Sequence, residues 1–219
     1  MSGEHMYSEL KNLSVHEQIE AITELLVQTL SINGTEGEVR IADDIEQILR
    51  SFPYFKKYPQ QVWTQYLPND TVGRKNVFAH IKGKSKKTIV FHAHMDKVGI
   101  EDYGTLQSKA NNPEELLRFF QTYEDEEVRT QALSGDWMFG RGSLDMKSGV
   151  AVHLANVLYL SQHLQEWDGN IIFMANPVEE NEHSGIMAAL DELIRLREEE
   201  GLNYFVGINT DYILSLIHI

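Results

Sequence analysis

Apolar residues in "SVHEQIEAITELLVQTLSI" recur at helical spacing, which predicts an amphipathic helix with Ser14 as its cap and Glu17 completing a capping box. "NGTEGE" reads as a turn and "EVRIADDIEQILRSF" as a second helix. "QQVWTQYL" and "NVFAHIKG" alternate as strands do, and "TIVFHAH" reads as a more deeply buried strand. "NPEELLRFFQTYEDEEVRTQAL" predicts one helix, with residues 124–127 on a solvated face. The glycine-rich "GDWMFGRGSLDMKSG" opens onto a helix in "VAVHLANVLYLSQHL". "NIIFMANPVEEN" is a strand ending in acids, "GIMAALDELIRLREEEG" a helix closed by Gly201, and "NYFVGINTDYI" another strand. Strands alternating with helices predict an α/β fold, a three-layer sandwich around a largely parallel mixed sheet.

In such sheets ligands sit beyond the carboxyl ends of the strands. Three predicted strands end in metal-type ligands: His94 and Asp96, Glu179 and Glu180, and Asp211. A fourth acid, Asp145, lies in the glycine-rich loop before a helix. Each has an ordinary explanation alone: a core histidine, a turn or capping aspartate, an exposed glutamate. Together, at corresponding ends of their elements, they converge, and clustered carboxylates repel unless cations neutralise them. His92 reads as a neighbour rather than a ligand. Lys97 and Lys147 read as solvated lysines, with substrate contact as the alternative.

Composition narrows the partners. The 219 residues are 42% hydrophobic and 24% charged, as in soluble globular proteins, with room for one large domain or two small ones. A net charge of -14 argues against nucleic acid or an anionic membrane as partner. There are no cysteines, which rules out disulfides and thiolate metal sites and suits a reducing cytoplasm. No stretch reads as a signal peptide or membrane span.

"HAHMD", "GRGSLDMKSG", "PVEENEHSG" and "INTDYI", in that order, resemble the di-zinc hydrolases of metallopeptidase family twenty, a group that includes peptidase T, carboxypeptidase G and aminoacylase. The extended "FHAHMDKVG" most resembles the branch associated with arginine degradation. The resemblance implies two zinc ions, with cobalt or manganese as substitutes. It makes His94 and Asp211 ligands of the first zinc, Asp145 the bridge, and Glu180 a ligand of the second. Glu179 is then the general base, and Asp96 the acid that orients the His94 imidazole. Gly140, Gly142 and Gly149 would let the backbone turn sharply around Asp145. The pattern departs from the family at Glu182, where glycine is common; Glu182 and His183 have no assigned role.

The resemblance also implies a longer protein, with a peptide or small-molecule substrate and a homodimeric full-length form. A lid or dimerisation domain and the second zinc's histidine are expected beyond residue 213, so residues 1–213 read as the N-terminal part of an incomplete catalytic domain. Residues 214–219, "LSLIHI", read as a non-native tail, and the chain alone is expected to be inactive. A dinuclear phosphoesterase is the weaker alternative, since its Gly-Asp-x-x-Asp and Gly-Asn-His signatures are absent. A non-catalytic metal- or amino-acid-binding protein on the same fold is the other, and a retained Glu179 speaks against it.

Overall fold

The computed structural model describes residues 6–212. A short helix α1 (Met6–Leu10) leads into α2 (Val15–Gln28). The capping box forms: the Glu17 N–H donates to Ser14 Oγ at 3.3 Å, and the Ser14 N–H to Glu17 Oε2 at 2.7 Å. Helix α3 (Gly37–Ser51) follows the turn, and α4 (Pro53–Lys57) starts on a proline, where a missing N–H costs nothing. Strands β1 (Val62–Tyr66), β2 (Lys75–Ile81) and β3 (Lys87–His94) come next.

The segment expected to be one helix is two, α5 (Pro113–Phe120) and α6 (Glu126–Ser134). The Asp125 carboxylate accepts the N–H groups of Glu127 and Val128 at 2.9 and 3.1 Å. It therefore caps a new helix instead of extending the old one. Residues 124–127 are exposed, as the charge pattern predicts. Then follow α7 (Ser148–Gln162), β4 (Asn170–Asn176), α8 (Ser184–Glu200), which closes at Gly201, and β5 (Asn203–Asn209).

The sheet runs β1-β2-β4-β3-β5. β2 is antiparallel to β1 and β4, and β3 is parallel to β4 and β5, so four strands share one direction and β2 opposes them. Helices α3 and α7 cover one face, with α2 packed on α7, and α8 covers the other. On β4, Ile171, Phe173 and Ala175 enter the first core, and Ile172 and Met174 enter the second. That two-sided burial explains the unbroken apolar run of "NIIFMAN".

β2, read as alternating, is buried along its whole length, whereas β3 leaves Lys87 exposed and His92 half-buried. Helix cover explains this: α3 and α8 pack on opposite faces of β2, whereas β3 packs chiefly against α7. β5 is an edge strand, with Phe205 78% exposed and Val206 and Ile208 also exposed. No helix among the described residues is long and apolar enough to cross a membrane. Residues 214–219 lie outside the described residues.

His80 on β2 sits far along the strand from the site ligands and is 1% exposed. Burial pushes its pKa down to about 4, against the pull of the Glu200 carboxylate. Below the unfolded-state value of 6.5, the unfolded chain binds a proton that the folded chain refuses. Stability is therefore full above that value and falls as pH drops towards 4. Urea melts at pH 7 and pH 4 should show the wild type losing about 3 kcal/mol more than His80→Gln. An equal loss in both would remove His80 as the cause.

Candidate metal centre

Three parallel strands bring their carboxyl ends together, and the predicted ligands gather there. His94, the last residue of β3, is 1% exposed. Its Nε2 lies 2.9 Å from Asp145 Oδ1 and 3.8 Å from Asp211 Oδ2. One ligand atom from each of these three residues falls within 4.8 Å of the others. Burial pulls the His94 pKa down, but the hydrogen bond with Asp96 and the charges of Asp96, Asp211 and Glu179 outweigh it and hold it at about 9. The pocket thus favours positive charge at its centre. Among the described residues no lysine or arginine forms an ion pair with Asp145, Glu179, Glu180 or Asp211. An imidazole and two carboxylates with no lysine or arginine paired to them are a donor set suited to zinc or a similar divalent ion.

The loop before α7 delivers Asp145. Gly142 takes φ +78°, and a Cβ there would crowd the Asp145 carbonyl and the Lys97 stem, each at 3.3 Å. The Asp145–Met146 peptide is cis. The Met146 sulfur accepts the His94 N–H at 3.2 Å and ties the loop to β3. Of the three glycines expected to turn the backbone, Gly142 alone is left-handed. Gly149 instead permits close approach: a Cβ would stand 2.5 Å from the Thr210 carbonyl oxygen. Thr210 Oγ1 donates to the Gly149 carbonyl at 3.0 Å, which fixes the neighbouring Asp211 against α7.

Lys97 and Lys147 are not solvated; each is 1% exposed. Lys147 Nζ donates to the Leu26 and Thr29 carbonyls at 2.8 and 2.5 Å, pinning the Asp145 loop to the C-terminal end of α2. Burial and the nearby Lys97 charge push its pKa well down. Burial, then the Arg141 charge, takes Lys97 down to about 7. A surface pattern could not show this, because the lysine stems enclose Gly142 from the inside.

The loop after β4 carries Glu179 and Glu180, both half-buried. Glu180 lies outside the tight cluster. Burial raises its pKa, and the Asp145, Asp96 and Glu179 charges add to that, against the opposing pull of His94. His183, unassigned from sequence, places Nδ1 3.8 Å from Glu179 Oε1. Glu182 is exposed. His92 stands outside the cluster and lines a cavity with Val90, Met174 and Leu193.

Asp96 does more than face the imidazole. His94 Nδ1 is 3.2 Å from the Asp96 carbonyl oxygen and 3.6 Å from its carboxylate. That carboxylate accepts the N–H groups of Glu179 and Glu180 at 3.0 and 3.1 Å and the Asn33 amide at 2.9 Å. Burial raises the Asp96 pKa, but these bonds with that of His94 hold it below the usual range. Asn33 lies in the "NGTEGE" segment, which the sequence shows only as a turn.

Residues 90–215 match the model of Peptidase family M20/M25/M40. The chain is 50% identical over 213 residues to Protein RocB of Bacillus subtilis (strain 168), a match covering 96% of this chain and 38% of that protein. The chain thus spans well under half the length of this curated relative. Among solved structures, LapB from Legionella pneumophila matches with TM-score 0.60 at 15% identity, over 94% of this chain and 45% of that one. Human carnosine dipeptidase 1 matches with TM-score 0.56 at 16% identity, over 96% of this chain and 42% of that one.

Proposed function

The chain belongs to peptidase family M20/M25/M40, and from that premise we propose that it is part of a zinc-dependent hydrolase cleaving a peptide or N-acyl amide bond of an amino-acid-like substrate. We place that substrate in amino-acid degradation, in the arginine branch that the extended "FHAHMDKVG" resembles, and the reaction in the cytoplasm. The observation that carries the reading is the convergence of His94, Asp145 and Asp211 within 4.8 Å.

In this proposal His94, Asp145 and Asp211 hold one zinc, and Asp145 and Glu180 contribute to a second. Zinc bound there would supply Lewis-acid polarisation of the scissile carbonyl and acidify a water. Glu179 takes the proton from the attacking water and gives it to the departing amine. Asp96 fixes the imidazole of His94 and the backbone beneath Glu179, so that both keep their orientation. The described residues offer three ligands to the first ion but two to the second, fewer than the three usual in catalytic zinc sites. The 219-residue chain by itself should therefore hydrolyse no amide, and the longer protein that the family resemblance implies, encoded by a parent reading frame, should.

The test is to assay both forms against dipeptides, aminoacyl amides and N-acyl amino acids, before and after chelation and zinc return. Turnover by the parent form that chelator abolishes and zinc restores supports the proposal. Zinc-independent turnover, or none on any amide, contradicts it.

A further inference from the structure

We propose that Glu38 is a positioning residue for the general base: with Asp96 it grips three successive backbone amides beneath Glu179 and Glu180. The proposal rests on the reading of Glu179 as base given above. Glu38 lies in the first turn of α3, far in sequence from the site, and is 0% exposed. Its Oε1 accepts the Val178 N–H at 3.1 Å. The next two amides, of Glu179 and Glu180, go to the two oxygens of Asp96. Two buried carboxylates thus receive three consecutive N–H groups, a charge-assisted arrangement stronger than neutral hydrogen bonds.

A helix-end role explains only half of Glu38. Its Oε2 accepts the Gly34 N–H at 2.6 Å, a local contact, and takes Arg74 Nη1 at 3.3 Å. Arg74 is itself held by Asp70 through Nε at 2.6 Å. Oε1 faces a residue 140 positions away, which no cap requires. That residue, Val178, has φ +68°, a left-handed conformation that branched side chains resist. It is held there at three points. Its N–H meets Glu38, its carbonyl accepts the His183 N–H at 2.8 Å, and its side chain is buried with Leu67 and Ala188. Strained backbone of this kind persists where its surroundings over-determine it. The same turn grips the other side of the loop, since the Asn181 amide donates to Asn33 Oδ1 at 2.7 Å. Releasing Val178 would let Glu179 shift, and small displacements of catalytic groups cost rate rather than binding.

The test uses Glu38→Gln and Glu38→Asp. The second keeps the buried charge near Arg74, which Asp70 still holds, but shortens the reach by one methylene, so it guards against a variant that fails to fold. Hydrogen exchange on the 219-residue chain should show residues 178–180 exchanging at least about tenfold faster in both variants, with β4 unchanged. In the parent reading frame, kcat should fall by about 10²-fold with KM within about twofold. In a Glu179→Gln background the same change should cost less than about twofold, because Glu38 acts through Glu179. Unchanged exchange at residues 178–180 overturns the cradle whatever the activity. Multiplicative losses in the double variant overturn the link to Glu179 and leave Glu38 as fold support. Faster exchange in a parent form that hydrolyses nothing overturns instead the reading of Glu179 as a base.

Discussion

Glu179→Gln in the parent reading frame is expected to lower turnover by roughly two to four orders of magnitude while metal content stays at the wild-type level. The substitution keeps the shape of the side chain and its backbone N–H, which donates to Asp96. What it removes is the ability to accept a proton. Glu179 is not among the three residues whose ligand atoms converge, so the metal should not notice the change. His183 Nδ1 lies 3.8 Å from Glu179 Oε1 on an exposed turn. Steady-state kinetics with elemental analysis of the same samples checks both halves. Loss of metal along with rate would make Glu179 a ligand and reverse its role with Glu180.

Asp145→Asn is expected to act on metal first and on rate as a consequence. The carboxylate faces His94 Nε2 at 2.9 Å and shares the cluster with Asp211. A carboxamide in its place offers one neutral oxygen where two cations are proposed to share a charge. Metal affinity should fall by more than the about 10–100-fold typical of losing an outer partner of a ligand. Asp96→Asn, which alters such an outer partner, should fall within that range. Competition against a calibrated chelator ranks the two variants, and an equal or smaller effect for Asp145→Asn would place the metal elsewhere.

Local signals in the sequence carried far. The Ser14–Glu17 capping box, the strands that end at or just before His94, Glu179 and Asp211, and the Gly201 helix stop depend on residues a few positions apart, and all appear in the fold. What the sequence hid depends on contacts between distant segments. The break at Asp125 is the local exception: its capping bonds reach only two and three residues on, and in the sequence a capping aspartate within an acidic run reads the same as exposed helix surface. Lys147 looked solvated because its partners, the Leu26 and Thr29 carbonyls, are more than a hundred residues away. Glu38 gave no signal beyond an acid in a first helical turn, although its Oε1 reaches Val178. The meeting of His94, Asp145 and Asp211 was legible because a parallel sheet sends its carboxyl ends to one place.

Equilibrium dialysis of the 219-residue chain against zinc, followed by elemental analysis, tests the metal centre most directly. The wild type and Glu179→Gln should each retain about one equivalent, and His94→Ala, Asp145→Asn and Asp211→Asn should each lose it. A wild-type chain that holds no zinc, or a His94→Ala chain that holds it equally well, would contradict the centre described here.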